Sequence, residues 1–193
     1  TVRCMYPELG ARIGYAVTCV FGPPDPNFTR LSFVDVLEAM VASQQPTILA
    51  MEQRFPPDIA PKVGLAGEIM TTAMQAVGCI GVVSNGPSRD IDAIRPLGFQ
   101  YLLSGVTAGH GDFSVQAVNV PVSIAGMDVA PGEMVHMDEN GACKFPEMHL
   151  EAVLTNVRTL LMEEEVRINT MRSAKSPEEV LAVMRKKPSK DDD

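Results

Sequence analysis

The sequence predicts an α/β layered domain. Three observations carry this: the order of elements between Gly67 and Leu103, an apolar content sufficient for one core, and the lack of any long apolar span. From Gly67 to Val77, the residues Ile69, Met70, Ala73, Met74 and Val77 recur at helical spacing, and Gly78 is a natural stop. Ile80-Gly81-Val82-Val83 is a short β-branched run, read as a buried strand. Ile91, Ile94 and Leu97 mark one face of a short helix that Pro96 limits, and Phe99 to Leu103 is the next strand. Helix, strand, loop, short helix, strand is the order of a layered α/β protein. With 193 residues, 46% of them hydrophobic, the chain can build one substantial core.

The remaining elements follow in order. Arg12 to Phe21 reads as a strand and Gly22-Pro23-Pro24-Asp25-Pro26 as a loop. Phe33 to Val41 has helical periodicity, and Thr47 to Met51 is the next strand. Val115 to Ile124 and Met134 to Asp138 read as strands, with Ala142 to Phe145 closing a hairpin through Asn140-Gly141. Asp138 belongs to that turn's chemistry. From Leu150 the pattern changes: Leu150, Val153, Leu154, Val157, Leu160 and Leu161 form a stripe to about Met162, followed by Glu163-Glu164-Glu165. Such a stripe packs on its own domain or on a partner subunit. Ser176-Pro177-Glu178-Glu179 starts a second helix with a cap, a proline at the first position and acids in the first turn. The expected division is a main α/β domain over 1–149, a helical extension of it over 150–187, and a polar, solvated tail over 188–193.

Charge and cysteine usage narrow the class. A net charge of −8, with no Lys/Arg cluster interleaved with aromatics, argues against a nucleic-acid partner. No apolar run reaches about 18 residues, so no membrane span is expected. Cys4, Cys19, Cys79 and Cys143 show no paired spacing, and no secretory signal is visible, which fits reduced thiols in a cytoplasmic protein. His110, His136 and His149 lack metal-ligand spacing; His110 in a glycine-rich loop could border a pocket.

Arg89-Asp90 stands at the end of Gly67-Glu68-(20 residues)-Arg89-Asp90, just after the strand Ile80–Val83. Arg offers a planar fork for a carboxylate, and Asp offers a hard oxygen for Mg²⁺ or Mn²⁺. The amides at Gly67, Glu68, Ile69 and Met70 begin a helix and form an anion site if they face the same cleft. Each feature also has a structural reading. Arg89-Asp90 can be an ion pair or a helix cap, and Glu68 an acid favouring the helix dipole.

The ordered motifs resemble the RraA-like proteins, which include the 4-hydroxy-4-methyl-2-oxoglutarate aldolases and regulators of ribonuclease E activity. The likeness runs from Arg12 to Pro146: Ile13-Gly14-Tyr15-Ala16-Val17-Thr18, Gly67-Glu68, Ile80–Val83 into Asn85-Gly86 and Arg89-Asp90, Val120–Gly126, Val129–Glu133, and Asp138–Gly141 closing at Phe145-Pro146. It implies an α/β/β sandwich like the swivelling (phosphohistidine-like) domain of phosphotransfer proteins, followed by C-terminal helices. It also implies a divalent-metal lyase of the class II type, cleaving a 4-hydroxy-2-oxo acid or decarboxylating oxaloacetate to pyruvate through a metal-stabilised enolate. By that likeness Asp90 is the metal ligand and Arg89 the substrate clamp. Glu68 holds a metal-bound water or moves a proton, and Gly67, Glu68, Ile69 and Met70 receive the keto-acid carboxylate. A homotrimer or homohexamer is expected. The alternative is a non-catalytic member that regulates a partner such as a ribonuclease. Two departures favour it: Ala93 stands where aldolases carry a further acid, and Glu52–Pro57 replaces a glycine-rich stretch. Asp92, one position away, points about 100° from Ala93.

Overall fold

The computed structural model describes residues 1–27 and 31–185. The expected tail over 188–193, with Lys186 and Lys187 before it, lies outside the described residues. Contacts divide the chain into two units, Thr1–Glu147 and Met148–Asp193.

The first unit is built on strands β1 (Arg3–Cys4), β2 (Arg12–Gly22), β3 (Thr47–Gln53), β4 (Cys79–Ser84), β5 (Gln100–Leu103), β6 (Ser114–Val118), β7 (Val122–Ile124), β8 (Met127–Val129), β9 (Met134–Asp138) and β10 (Gly141–Phe145). Its helices are α1 (Phe33–Ala42), α2 (Glu68–Ala76) and α3 (Ile91–Ile94). The main sheet has the order β1-β5-β4-β3-β2-β9-β10, and β6 also pairs with β2. β2, β3, β4 and β5 run parallel to one another in sequence order. Right-handed crossovers that step in one direction put every connecting helix on the same face. The packing agrees. Val17, Cys19, Phe21, Leu49, Met51, Val82, Tyr101 and Leu103 share a core with Val36, Met40, Met74 and Ile94 of the helices. The alternate residues Ala16, Val20, Ile48, Ala50, Val83 and Leu102 pack against Val122, Ile124 and Val129 of the β7–β8 hairpin. Helices, sheet and hairpin therefore form three layers. Because both faces are covered, the parallel strands read as unbroken apolar runs.

Local chemistry sets the element ends. Asp35 accepts hydrogen bonds from the Ser32 amide at 2.6 Å and hydroxyl at 2.8 Å, which caps α1. α2 stops before Gly78, which takes φ +90°, a conformation costly for any residue with a Cβ. In the hairpin turn, Asp138 accepts from the amides of Asn140 at 2.8 Å and Gly141 at 3.2 Å.

One expected strand is two. Val115 to Ile124 breaks after Val118, where Asn119 adopts φ 53° and Pro121 removes an amide. β6 stays on β2, while β7 leaves the main sheet to pair with β8. The latch for this second layer is Glu52, which accepts from the Ser123 amide at 2.9 Å and from Arg54 at 2.6 Å. Burial raises the Glu52 pKa, but those two hydrogen bonds outweigh it and hold the carboxyl below its ordinary value.

The second unit contains α4 (Leu150–Ser173) and α5 (Pro177–Arg185). Arg167 Nη2 of α4 meets the carbonyl and sulfur of Met184 in α5 at 3.5 and 3.6 Å. Among the described residues no helix is long and apolar enough to cross a membrane.

Candidate functional site

Ligand sites in open parallel sheets lie beyond the carboxyl ends of the strands. Here that edge carries two facing loops, Gly64–Gly67 before α2 and Ser84–Asp90 after β4, joined by backbone bonds. The Leu65 amide donates to Pro87 O at 3.0 Å, and the Arg89 amide donates to Ala66 O at 3.1 Å. The Ser88 hydroxyl adds a further, very short bond to Ala66 O. Asn85 extends the same edge: its carboxamide accepts from the Gln53 amide at 2.6 Å and donates to Gln53 O at 3.0 Å. The carboxyl ends of β3 and β4 are thereby locked together.

This pairing brings the sequence-predicted residues into one place. The Glu68 amide, first in α2, donates to Asp90 Oδ2 at 3.1 Å. Arg89 Nε lies 3.7 Å from the same oxygen, and Arg89 Nη1 donates to Gly64 O at 3.1 Å. Nη2 is the arm of the fork with no partner among the described residues. Gly67 is pressed against both: a Cβ there would overlap the Asp90 carboxylate and lie 3.0 Å from Arg89 Nε. Only glycine fits that approach. Asp90 itself sits at φ 60°, ψ 32°, left-handed backbone that Asp and Asn tolerate better than other side chains. Its side chain remains 42% exposed and that of Arg89 21%, so both face solvent. Glu68 and Ile69 are exposed at the start of α2, and Met70 is half-buried.

Two details differ from the sequence reading. Of the four amides expected to receive an anion, that of Glu68 is already held by Asp90. The amides of Ile69 and Met70 remain in the first turn, where the helix offers no acceptor. Asp90 thus serves as an N-terminal hydrogen-bond partner for α2, the structural role expected for it, while its side chain stays open to solvent. Asp92 and Ala93 are both exposed on α3.

Sequence reasoning missed the layer beneath. The Thr71 hydroxyl donates to Gly67 O at 2.8 Å and lies 2.5 Å from the Tyr101 hydroxyl. Thr71 has one proton and spends it on Gly67, so Tyr101 is the donor to Thr71. Burial pushes the Tyr101 phenol up to about 12, so it stays protonated and able to donate. Helical spacing finds Thr71 only as one more residue of α2. Its role depends on a residue 30 positions away.

Other candidates contribute less. All four cysteines are free, with Cys19 and Cys79 buried. Burial raises both thiols, Cys79 to about 11, which makes neither a ready nucleophile. A cleft of about 390 Å³ past the end of β2 is lined by Phe21, Leu31, Phe33, Phe113 and Val115, with Ser32 and Asp112 as polar edges. His110 stacks on Phe113 with ring centres 6.3 Å apart. None of Gly67, Glu68, Arg89 and Asp90 lines that cleft. Among the described residues no group of three or more His, Cys, Asp or Glu could hold a metal.

Known proteins place the chain. A protein of Halalkalibacterium halodurans, named as a candidate 4-hydroxy-4-methyl-2-oxoglutarate aldolase, is 29% identical over 104 residues, 53% of this chain and 50% of its own length. The chain thus spans about half of that relative. An uncharacterised protein from Pseudomonas syringae pv. tomato has a structure matching 94% of this chain and 79% of its own, with TM-score 0.75 and 20% identity. Streptomyces coelicolor RraAS2, of the RNase ES inhibitor RraA family, covers 82% of this chain and 78% of its own, with TM-score 0.68 and 23% identity. These structures establish the α/β fold; the specific likeness to the swivelling domain is not confirmed by them. The RraA-like family, described as Aldolase/RraA, matches residues 1–143, and the chain belongs to it.

Proposed function

We propose that this protein is a divalent-metal-dependent lyase that releases pyruvate from a 4-hydroxy-2-oxo acid or from oxaloacetate. The observation that supports this most is the convergence of Gly67, Glu68, Arg89 and Asp90, with Asp90 strained, half-exposed and touching the first amide of α2. Asp90 would hold Mg²⁺ or Mn²⁺, and such an ion supplies Lewis-acid polarisation of a keto oxygen. The free arm of Arg89 binds the substrate carboxylate and places fixed positive charge where negative charge develops. The Ile69 and Met70 amides orient the other end of the keto acid at the positive end of α2. Glu68, exposed beside Asp90, is placed to move a proton through water. The chain's match to an aldolase-named relative supports the same reading.

A second reading is a non-catalytic binding protein that regulates a partner such as a ribonuclease. It is favoured by the exposed Ala93, by the lack of a multi-acid cluster among the described residues, and by the fold shared with an RNase ES inhibitor family member. The deciding experiment measures pyruvate release from oxaloacetate and from 4-hydroxy-4-methyl-2-oxoglutarate, with Mg²⁺, with Mn²⁺ and with chelator. Metal-dependent release supports the lyase. No release from either substrate with either metal favours the regulator.

A further inference from the structure

Asp90 stands at φ 60°, ψ 32°, directly before α3, a helix of 4 residues. A side chain in left-handed backbone stays there only where its surroundings over-determine it. On the upstream side the hold is plain: the Arg89 amide bonds to Ala66 O, and the Glu68 amide bonds to the Asp90 carboxylate. On the downstream side α3 is too short to fix its own start, because a single turn leaves most of its amides without helical partners. The Ile94 amide donates to Asp90 O at 3.0 Å, and one more contact comes from outside the helix. The Tyr6 hydroxyl donates to Ile91 O, the carbonyl next after Asp90, at 2.7 Å.

Tyr6 is itself firmly placed. It is fully buried, and its ring stacks on Tyr101 with centres 6.3 Å apart and planes 28° from parallel. Buried Gln100 donates to Tyr6 O at 3.0 Å, and the Met5 amide donates to Tyr101 O at 2.8 Å. Arg95 lies over the Tyr6 ring, its guanidinium 5.0 Å from the centre, and pairs with Glu8. Burial raises the Tyr6 phenol, so it keeps the proton it donates. The two stacked tyrosines divide one task. Tyr101 reaches Thr71 and, through it, Gly67 O at the start of α2; Tyr6 reaches the start of α3. Gly67 and Asp90 are the residues pressed together at the site. We infer that Tyr6 is a positioning residue for that site: its hydroxyl pins the first carbonyl of α3 and keeps Asp90 in the turn that sets its carboxylate beside Arg89 and the Glu68 amide. The consequence for metal binding rests on the lyase reading above; the hold on the turn does not.

Tyr6→Phe keeps the ring and its stacking and removes only the hydroxyl. Amide hydrogen exchange, followed by NMR on the full chain, reads the turn directly. Exchange at Glu68 and Ile94, whose amides bond to Asp90, should rise about tenfold, while the amides of β3 keep their wild-type rates. Mn²⁺ alone, titrated by calorimetry, should bind about tenfold more weakly, because Asp90 occupies the competent turn for a smaller fraction of the time. Saturating Mn²⁺ should then bring pyruvate release to within about twofold of wild type. Arg95→Gln, at a half-exposed position, removes the cation over the ring and should raise the same two exchange rates about threefold. That variant decides the question if Tyr6→Phe does not fold. Unchanged exchange at Glu68 and Ile94 overturns the inference. So does a rise shared equally by β3, which would make Tyr6 a core residue only, or faster exchange at the turn with Mn²⁺ affinity unchanged. A wild type that binds no Mn²⁺ overturns the lyase reading instead, and the exchange rates still decide whether Tyr6 holds the turn.

Discussion

The loop pair around Asp90 and the helix α4 meet their physical demands in opposite ways. At Asp90, two loops bond to each other and to β3, and a buried phenol fixes the turn beneath. α4 (Leu150–Ser173) instead carries exposed apolar residues, Leu154, Val157, Leu161 and Ile168, and the charges Glu151, Arg158, Glu165 and Arg172 without ion pairs among the described residues. The first region satisfies its backbone within one chain; the second leaves an apolar face exposed. Substitutions around Asp90 should therefore act at any protein concentration. Those in α4 should act through mass action, with a melting temperature that depends on concentration.

The largest effect is expected at Asp90. Asn keeps the size of Asp and tolerates φ 60°, and its oxygen can still accept from the Glu68 amide. Asp90→Asn should thus leave folding and assembly intact while lowering metal-dependent pyruvate release on the order of 10³-fold. Wild-type turnover would remove Asp90 from the metal role. Loss of folding would show that its structural duty dominates.

Arg89→Lys should come next. Lys retains the charge but lacks the fork that now spans Gly64 O and the open site. A loss of about 10²-fold in kcat/KM, about 2.7 kcal/mol, is expected, with metal affinity by calorimetry little changed. Full activity would mean that Arg89 is not the substrate clamp.

Below the site, Tyr101→Phe leaves the Thr71 hydroxyl without its donor in a buried setting. It should cost about 1 to 2 kcal/mol in chemical denaturation at every protein concentration. A cost that vanishes on dilution would contradict the self-contained reading of this region.

Much of this architecture was legible in the sequence because both signals are local. The run from β2 to β5 follows from apolar periodicity, and Asn140-Gly141 announces the β9–β10 hairpin. The β7–β8 hairpin was hidden, because Val115 to Ile124 reads as one apolar stretch and its turn uses Ala125 at φ 52° rather than an asparagine. At the site, the Gly67-Glu68 and Arg89-Asp90 motifs supplied the residues that meet. Tyr101, Thr71, Ser88 and the Gln53–Asn85 pair were not legible, because their roles arise only when distant segments come together.

Glu52 offers a pH test of the second layer. Its carboxyl is held below the ordinary value by Arg54 and the Ser123 amide against the cost of burial, so the folded state binds a proton less readily than the unfolded chain. Stability from this latch is fully present above the unfolded carboxylate pKa of about 4.3 and is lost as pH falls through the lower folded value. Glu52→Gln should cost about 1 kcal/mol near neutrality, and the gap between variant and wild type should close below about pH 4 in urea titrations. A gap that persists in acid would assign the effect to packing rather than charge.

The most concentration-dependent effect is expected where the two regions differ most, in α4. Glu164 is the one charged residue of the stripe Leu150, Leu154, Val157, Leu161, Glu164, Ile168 and Met171. A charge there weakens association while it fixes register, as single polar seam residues do in coiled coils. If the stripe packs on a partner subunit, Glu164→Leu should tighten association about tenfold and raise the melting temperature more at low protein concentration than at high, where wild type is already associated. A melting curve independent of concentration for both proteins would mean that α4 is covered within its own chain, and the contrast between a complete and an incomplete region would fall.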